Sequence, residues 1–181
     1  MESNQISTDD FKHALKSQYH AAFNMLGEAI EKCPDELWDN HEFKNRFWQL
    51  SYHTLFFTHL YLCKSNEDFI PWIKHQENNQ NPDGMGGDPD PESKLPLIPD
   101  PYTREEVLEY WGYCKGIVDE FVDIMDLSDP ESGFSWYPIS KLEHQLVNIR
   151  HLQHGAAQLA DRLRLKENIG IRWSGRGKKK E

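Results

Sequence analysis

Positive charge is scarce in this sequence. In 181 residues, 20 Lys and Arg stand against 30 Asp and Glu, which gives a formal net charge of −10. Proteins whose main partner is nucleic acid neutralise its phosphates with clustered Lys and Arg, so we do not expect nucleic acid as a partner. The exception is the basic stretch at residues 175–181. We expect it to be a flexible, solubilising tail.

Cysteine is also scarce, and no long apolar run is free of polar residues. Cys33, Cys63 and Cys114 are widely spaced and form no CxxC pair, which favours reduced thiols in a cytoplasmic protein over a disulfide framework. The most apolar stretch, residues 47–62, is interrupted by Gln, Ser, Thr and His. This pattern predicts a buried helix and not a membrane span. No cationic region followed by an apolar run opens the sequence, so we expect no signal peptide.

Several catalytic motifs are missing as well. The sequence has no GxSxG, no P-loop, no HExxH, and no GxGxxG following a strand pattern. Serine hydrolase, nucleotide-binding and zincin functions therefore lack support. Cys63 has no basic or histidine partner evident from the sequence, which favours a packed thiol over a nucleophile.

What the sequence does contain is helical periodicity. Apolar residues make up 38% of the chain and aromatic residues 12%, enough for one domain with a substantial core. Ser7 is a candidate N-cap, and Thr103 with Glu106 and Ser140 with Glu143 have the spacing of capping boxes. The apolar spacing predicts four helices, over residues 7–33, about 45–63, 103–125 and 140–165. We predict an all-α fold, a four-helix bundle in a single domain over residues 1–174.

A 39-residue connection, residues 64–102, joins the second and third predicted helices and holds seven of the ten prolines. A connection of this length in a compact domain is usually functional or disordered. We expect it to be an irregular crossover whose first part is held to the bundle by Phe69 and Trp72. The glycine-rich residues 84–87 are expected to move.

Three histidines have a spacing that suggests a metal site. His151 and His154 lie about one helical turn apart in the fourth predicted helix, and His53 lies within the most apolar helix. Imidazole is the commonest ligand for borderline transition metals, and three such ligands plus water form an open site. One position breaks the pattern, because the residue four places after His151 is Gly155, which has no ligating atom.

Each histidine also has a simpler interpretation. His144, His151 and His154 fall on one arc beside an apolar stripe, where polar residues normally form a solvated edge. A lone buried histidine such as His53 is usually hydrogen-bonded to a carbonyl or hydroxyl group. The spacing alone leaves both interpretations open.

Three segments together resemble the DinB-like superfamily. They are FWQLSYHTLFF at residues 47–57, YTREE at 102–106 and RHLQHGAAQL at 150–159, and the resemblance extends over essentially the whole chain. It implies a four-helix bundle in up-down-down-up arrangement that is often dimeric. It also implies a divalent metal, typically zinc or nickel, held by one histidine of the second helix and two of the fourth.

Transferred residue by residue, this resemblance places metal ligands at His53 and His151. The family's third ligand normally lies four residues after the second, where this chain has Gly155. His154 matches a histidine that is commonly not a ligand. Either His154 replaces the missing ligand or the metal has been lost, and the sequence does not decide between the two outcomes.

The resemblance also implies a function. Several relatives are thiol S-transferases that add a low-molecular-weight thiol to an electrophile, so a metal-dependent reaction of small molecules by a homodimer is expected. Trp48, Tyr52 and Trp136 would then line a substrate pocket, although aromatic residues in a bundle are more often core. The alternative is a non-catalytic bundle whose degraded metal site leaves a structural or partner-binding dimer.

Overall fold

The computed structural model of the protein describes residues 7–77, 79–81 and 100–177. These residues form five α-helices and no strand, which confirms the predicted all-α class. The helices are α1 (Thr8–Lys32), α2 (Asp35–Trp38), α3 (Phe47–Leu62), α4 (Arg104–Ile124) and α5 (Lys141–Glu167). The four long helices match the four predicted ones. The short α2, which follows Pro34, was not predicted. Within the described ranges, no helix is both long and apolar enough to cross a membrane.

The predicted helix starts are confirmed at their caps. The Ser7 hydroxyl accepts a hydrogen bond from the Asp10 N–H, and the Asp10 carboxylate accepts one from the Ser7 N–H. Thr103 and Glu106 form the same reciprocal pair at the start of α4. These bonds satisfy N–H groups that have no partner inside a helix, so the sequence sets the position of each start locally.

The four long helices pack in a cycle that does not follow their order in the sequence. Extensive contacts join α1 to α5, α5 to α3, α3 to α4, and α4 to α1. Among the described residues, the consecutive long helices α1 and α3 make few contacts with each other, as do α4 and α5. The helix α3 is buried on nearly all sides, and its contacts with α5 bring His53 close to the fourth predicted helix.

The described part of the connection, residues 64–77, 79–81 and 100–103, contains no helix or strand. Trp72 is buried, and the partly buried Phe69 packs against the core, which confirms that these two residues attach the segment to the bundle. Residues 84–87 lie outside the described ranges. The part of the connection that matters for the site is its last described turn, residues 79–81.

After α5 the chain returns along α1. The Lys32 ammonium donates to the Gly170 carbonyl at 3.0 Å, and the Gly177 N–H donates to the Ser17 carbonyl at 2.8 Å. Residues 175–177 of the predicted tail are thus in contact with α1, while residues 178–181 are outside the described part of the chain. This return segment closes one side of α1.

Candidate functional site

The structure brings His53 of α3 and His151 of α5 together. Their Nε2 atoms are 3.3 Å apart, and their rings meet edge to face with centroids 5.2 Å apart. The Phe57 ring contacts both imidazoles, with centroids 4.8 Å from His53 and 6.0 Å from His151. Two residues 98 positions apart in sequence therefore form one histidine pair.

The hydrogen bond made by His53 Nδ1 shows which of the two ring nitrogens carries the proton. Nδ1 lies 2.7 Å from the main-chain oxygen of Gln80. A carbonyl oxygen only accepts hydrogen bonds, so Nδ1 must donate and carries the proton in the neutral ring. The lone pair of the neutral imidazole is then on Nε2 and is directed towards His151. Histidine ligands of metals are usually oriented by a carbonyl in this way.

Burial keeps both rings neutral. Together with the neighbouring His53 and His154, it lowers the pKa of His151 to about 4. Burial also lowers the pKa of His53, although the bond to Gln80 partly opposes this effect. Near pH 7 both imidazoles are therefore unprotonated on one nitrogen, which is the state that binds a metal.

The distance within the pair fits a shared metal ion. Two nitrogens that each lie 2.0–2.1 Å from a tetrahedral zinc ion are roughly 3.3–3.4 Å apart, and His53 and His151 have Nε2 atoms 3.3 Å apart. His151 Nδ1 is buried and has no hydrogen-bond partner among the described residues. The two imidazoles thus fit as two ligands of one divalent metal.

The third candidate, His154, is not part of the pair. Its side chain is exposed, and no group of three or more His, Cys, Asp or Glu side chains that could hold a metal occurs in the described ranges. His154 is still close enough for its charge to affect the pKa of His151. The structure therefore supplies two facing imidazoles, with His154 at the periphery.

The structure also explains why position 155 is glycine. A Cβ atom at Gly155 would lie 2.1 Å from the Thr54 hydroxyl oxygen and 2.7 Å from its methyl carbon. Real Cβ atoms essentially never approach other atoms so closely, so any side chain at this position would push α3 and α5 apart. At the position where the resemblance expects a third ligand, the chain therefore has a close contact between α5 and α3 at Thr54.

His144 differs from the solvated edge considered for this face of α5. It is fully buried, and its ring is surrounded by those of Tyr61, Phe134 and Tyr137, with centroids 4.8–5.1 Å away. Neither ring nitrogen has a partner among the described residues. Burial, assisted by the nearby Lys141, lowers the pKa of His144 to about 4. The solvated-edge interpretation therefore fits the exposed His154 but not His144.

Two further histidines bind buried tyrosines. Tyr110 and His59 are joined through the tyrosine hydroxyl and Nδ1 at 3.0 Å, and Tyr52 and His75 in the same way at 2.6 Å. No sequence spacing indicates these pairs, because the two partners of each pair come from different elements. His59 lies six residues after His53 in the same apolar helix, and it is a buried core histidine.

The residues considered for a substrate pocket have different surroundings. Trp48 and Tyr52 are fully buried in the core, whereas Trp136 is half exposed and lines a cavity of about 590 Å³ formed by residues 130–139 with Asn66 and Glu67. A second cavity of about 490 Å³ is lined in part by Cys63. Burial raises the pKa of the Cys63 thiol to about 11, in agreement with a packed thiol. His53 and His151 line neither cavity.

No protein-family model matches the chain, and it matches neither a curated protein nor a solved structure. The resemblance to the DinB-like superfamily therefore stays a prediction. A metal site is supported by the geometry of His53 and His151, by the Gln80 carbonyl that orients His53, and by the neutral state of both rings.

Proposed function

We propose that the protein is a DinB-like divalent-metal-binding protein whose metal, zinc or nickel, is held by His53 and His151. The observation that carries this proposal is the 3.3 Å separation of their two Nε2 atoms. Each ring reaches the pair from a long helix, which places the two nitrogens at the separation that a shared ion requires. Two protein ligands leave coordination positions open to water and to small molecules.

We further propose that the site serves a metal-dependent thiol S-transfer to a small electrophile. A divalent metal, when bound, would lower the pKa of a thiol or water that coordinates it. The deprotonated ligand would then be a nucleophile near neutral pH. The chain's own part is to keep both imidazoles neutral through burial and to fix the His53 tautomer through Gln80. Phe57 excludes water on one side of the pair. The nucleophilic thiol is assigned to the substrate because the Cys63 thiol is packed and its pKa is raised.

The arrangement proposed for the fold is a four-helix bundle in up-down-down-up order, with residues 64–102 as its crossover. The cyclic packing of the four long helices supports this arrangement. We propose a homodimer as its assembled form, on the resemblance alone. Sedimentation of the untagged protein tests this point, and a monomer at micromolar concentration would contradict it.

Metal content of the untagged protein tests the proposed site. Wild type purified after growth with supplemented zinc and nickel should contain about one metal ion per chain, and His53→Ala or His151→Ala should contain almost none, because one imidazole alone binds weakly. His154→Ala is the matched control, since His154 is exposed on the same helix and should leave the metal in place. An empty wild-type protein would refute the proposal. Complete loss in His154→Ala would show a three-histidine site instead.

A second candidate is a non-catalytic bundle that has lost its metal and acts as a structural or partner-binding dimer. The observation in its favour is the contact between Gly155 and Thr54, which occupies the position of a third ligand. This candidate predicts that neither zinc nor a chelator changes the melting temperature of wild type. A rise in melting temperature with zinc that requires both His53 and His151 would exclude it.

A further inference from the structure

The main-chain turn that orients His53 is held by a buried tyrosine hydroxyl. We use the name tethered segment for residues 74–77 and 79–80. The Tyr102 hydroxyl donates to the Lys74 carbonyl oxygen at 2.8 Å and accepts from the Gln76 N–H at 2.7 Å. Tyr102 is itself almost fully buried, and its own carbonyl oxygen accepts from the Trp38 indole N–H at 2.8 Å. One phenol thus fixes two main-chain groups of the tethered segment.

A second tyrosine holds the same segment from α3. The Tyr52 hydroxyl is 2.6 Å from His75 Nδ1, and the rings of Tyr52 and Tyr102 are in contact, with centroids 4.6 Å apart. Tyr52 directly precedes His53 in the sequence. The helix that carries the candidate ligand therefore also helps to anchor the segment that orients it.

A series of hydrogen bonds connects Tyr102 to the histidine pair. The Gln76 N–H donates to the Tyr102 hydroxyl, the Asn79 N–H donates to the Gln76 carbonyl at 3.2 Å, and the next residue, Gln80, accepts from His53. Movement of the tethered segment would remove the acceptor from His53 Nδ1. The ring would then lose the constraint that keeps its Nε2 lone pair directed at His151.

We propose that the tethered segment and the metal at His53 are thermodynamically coupled, with Tyr102 as the positioning residue. This inference rests on the proposed function, because it requires His53 to be a ligand. Loss of a partner that orients a histidine ligand typically weakens metal binding about 10-fold to 100-fold. Coupling of this kind is reciprocal, so bound metal also holds the tethered segment in place.

Zinc affinity of Tyr102→Phe tests the coupling. Titration against a chromophoric chelator should show a dissociation constant about 10-fold or more above that of wild type, because the phenylalanine ring keeps the packing and loses only the hydrogen bonds of the hydroxyl. Tyr110→Phe is the matched control. It also removes a buried hydroxyl bonded to a histidine Nδ1, that of His59, but it leaves the bonds of the tethered segment intact and should retain wild-type affinity.

Hydrogen exchange supplies a second readout that a purely structural role would not change. Zinc should slow hydrogen exchange of the Asn79 main-chain N–H in wild type about 10-fold. This slowing should be lost in Tyr102→Phe. If wild type binds no zinc, the proposed function itself fails. If wild type binds zinc and Tyr102→Phe binds it equally well, only the coupling fails. If Tyr102→Phe does not fold, the exchange rate of the Asn79 main-chain N–H in wild type tests the coupling by itself. An exchange rate that zinc does not change would overturn the coupling.

Discussion

Gly155→Ala is expected to lower the free energy of unfolding by about 2–3 kcal/mol, a typical cost of forcing extra atoms into a packed core. The added Cβ would lie within 3 Å of three Thr54 side-chain atoms, including the Thr54 Cβ. Rotation of the Thr54 side chain therefore cannot relieve the contact. In a protein of this size, we expect the melting temperature to fall by about 5–10 °C. Urea denaturation followed by circular dichroism measures the free energy of unfolding, and thermal unfolding followed in the same way measures the melting temperature.

Gly112→Ala is the control for this substitution. Gly112 lies within α4, and a Cβ there would meet no atom within 4 Å, so alanine should stabilise the helix by about 0.5–1 kcal/mol. Thr54→Ala combined with Gly155→Ala should be less destabilised than the sum of the two single variants, because the two closest atoms are gone. Stability of Gly155→Ala equal to that of wild type would show that the two helices are not in close contact at Thr54.

Mild acid is expected to destabilise the protein strongly in the presence of a chelator. Burial lowers the pKa of His59 and of His144 from 6.5 to about 4, so the unfolded chain binds their protons first as the pH falls. This contribution to stability is complete above about pH 6.5 and is progressively lost towards pH 4. Between pH 7.5 and pH 5 these two histidines alone should remove about 4 kcal/mol from the free energy of unfolding. With the metal removed, His151, whose pKa is also lowered to about 4, should add to this loss. Urea titrations at these two pH values measure the change.

His144→Leu isolates one of the two contributions. Leucine has a volume similar to that of histidine and fits an aromatic surrounding in which His144 has no hydrogen-bond partner among the described residues. The loss of stability between pH 7.5 and pH 5 should shrink by about 2 kcal/mol, half of what His59 and His144 contribute together. A pH dependence identical to that of wild type would mean that His144 is accessible to protons in the folded state.

The helices were predictable because their signals are local. Ser7 with Asp10 and Thr103 with Glu106 lie three residues apart, and each pair satisfies its own helix end without help from the rest of the chain. The short α2 was missed because four residues carry no periodicity. Trp72 was predicted to be buried because a large apolar side chain in a polar connection has few other places to pack.

The site was predictable only in part, because its geometry depends on how helices meet. Spacing identified His53 and His151 as candidates, and the packing of α3 on α5 brings them within 3.3 Å of each other. Spacing equally suggested His154, which the packing leaves exposed. The role of the Gln80 carbonyl could not be predicted from the sequence, because every residue has a main-chain carbonyl. Gly155 showed only that a ligand was missing, and the contact with Thr54 supplies the reason.

The cyclic packing of the long helices has a consequence for how the protein folds. Because α1 packs on α4 and α5 but little on α3, the described residues of the first half of the chain form no helix hairpin that buries its own apolar surface. The same holds for α4 and α5 in the second half. Neither half has enough partner surface to persist alone, so populated partly folded intermediates are disfavoured and folding should be a single cooperative transition. Its rate should be limited by contacts between segments far apart in sequence.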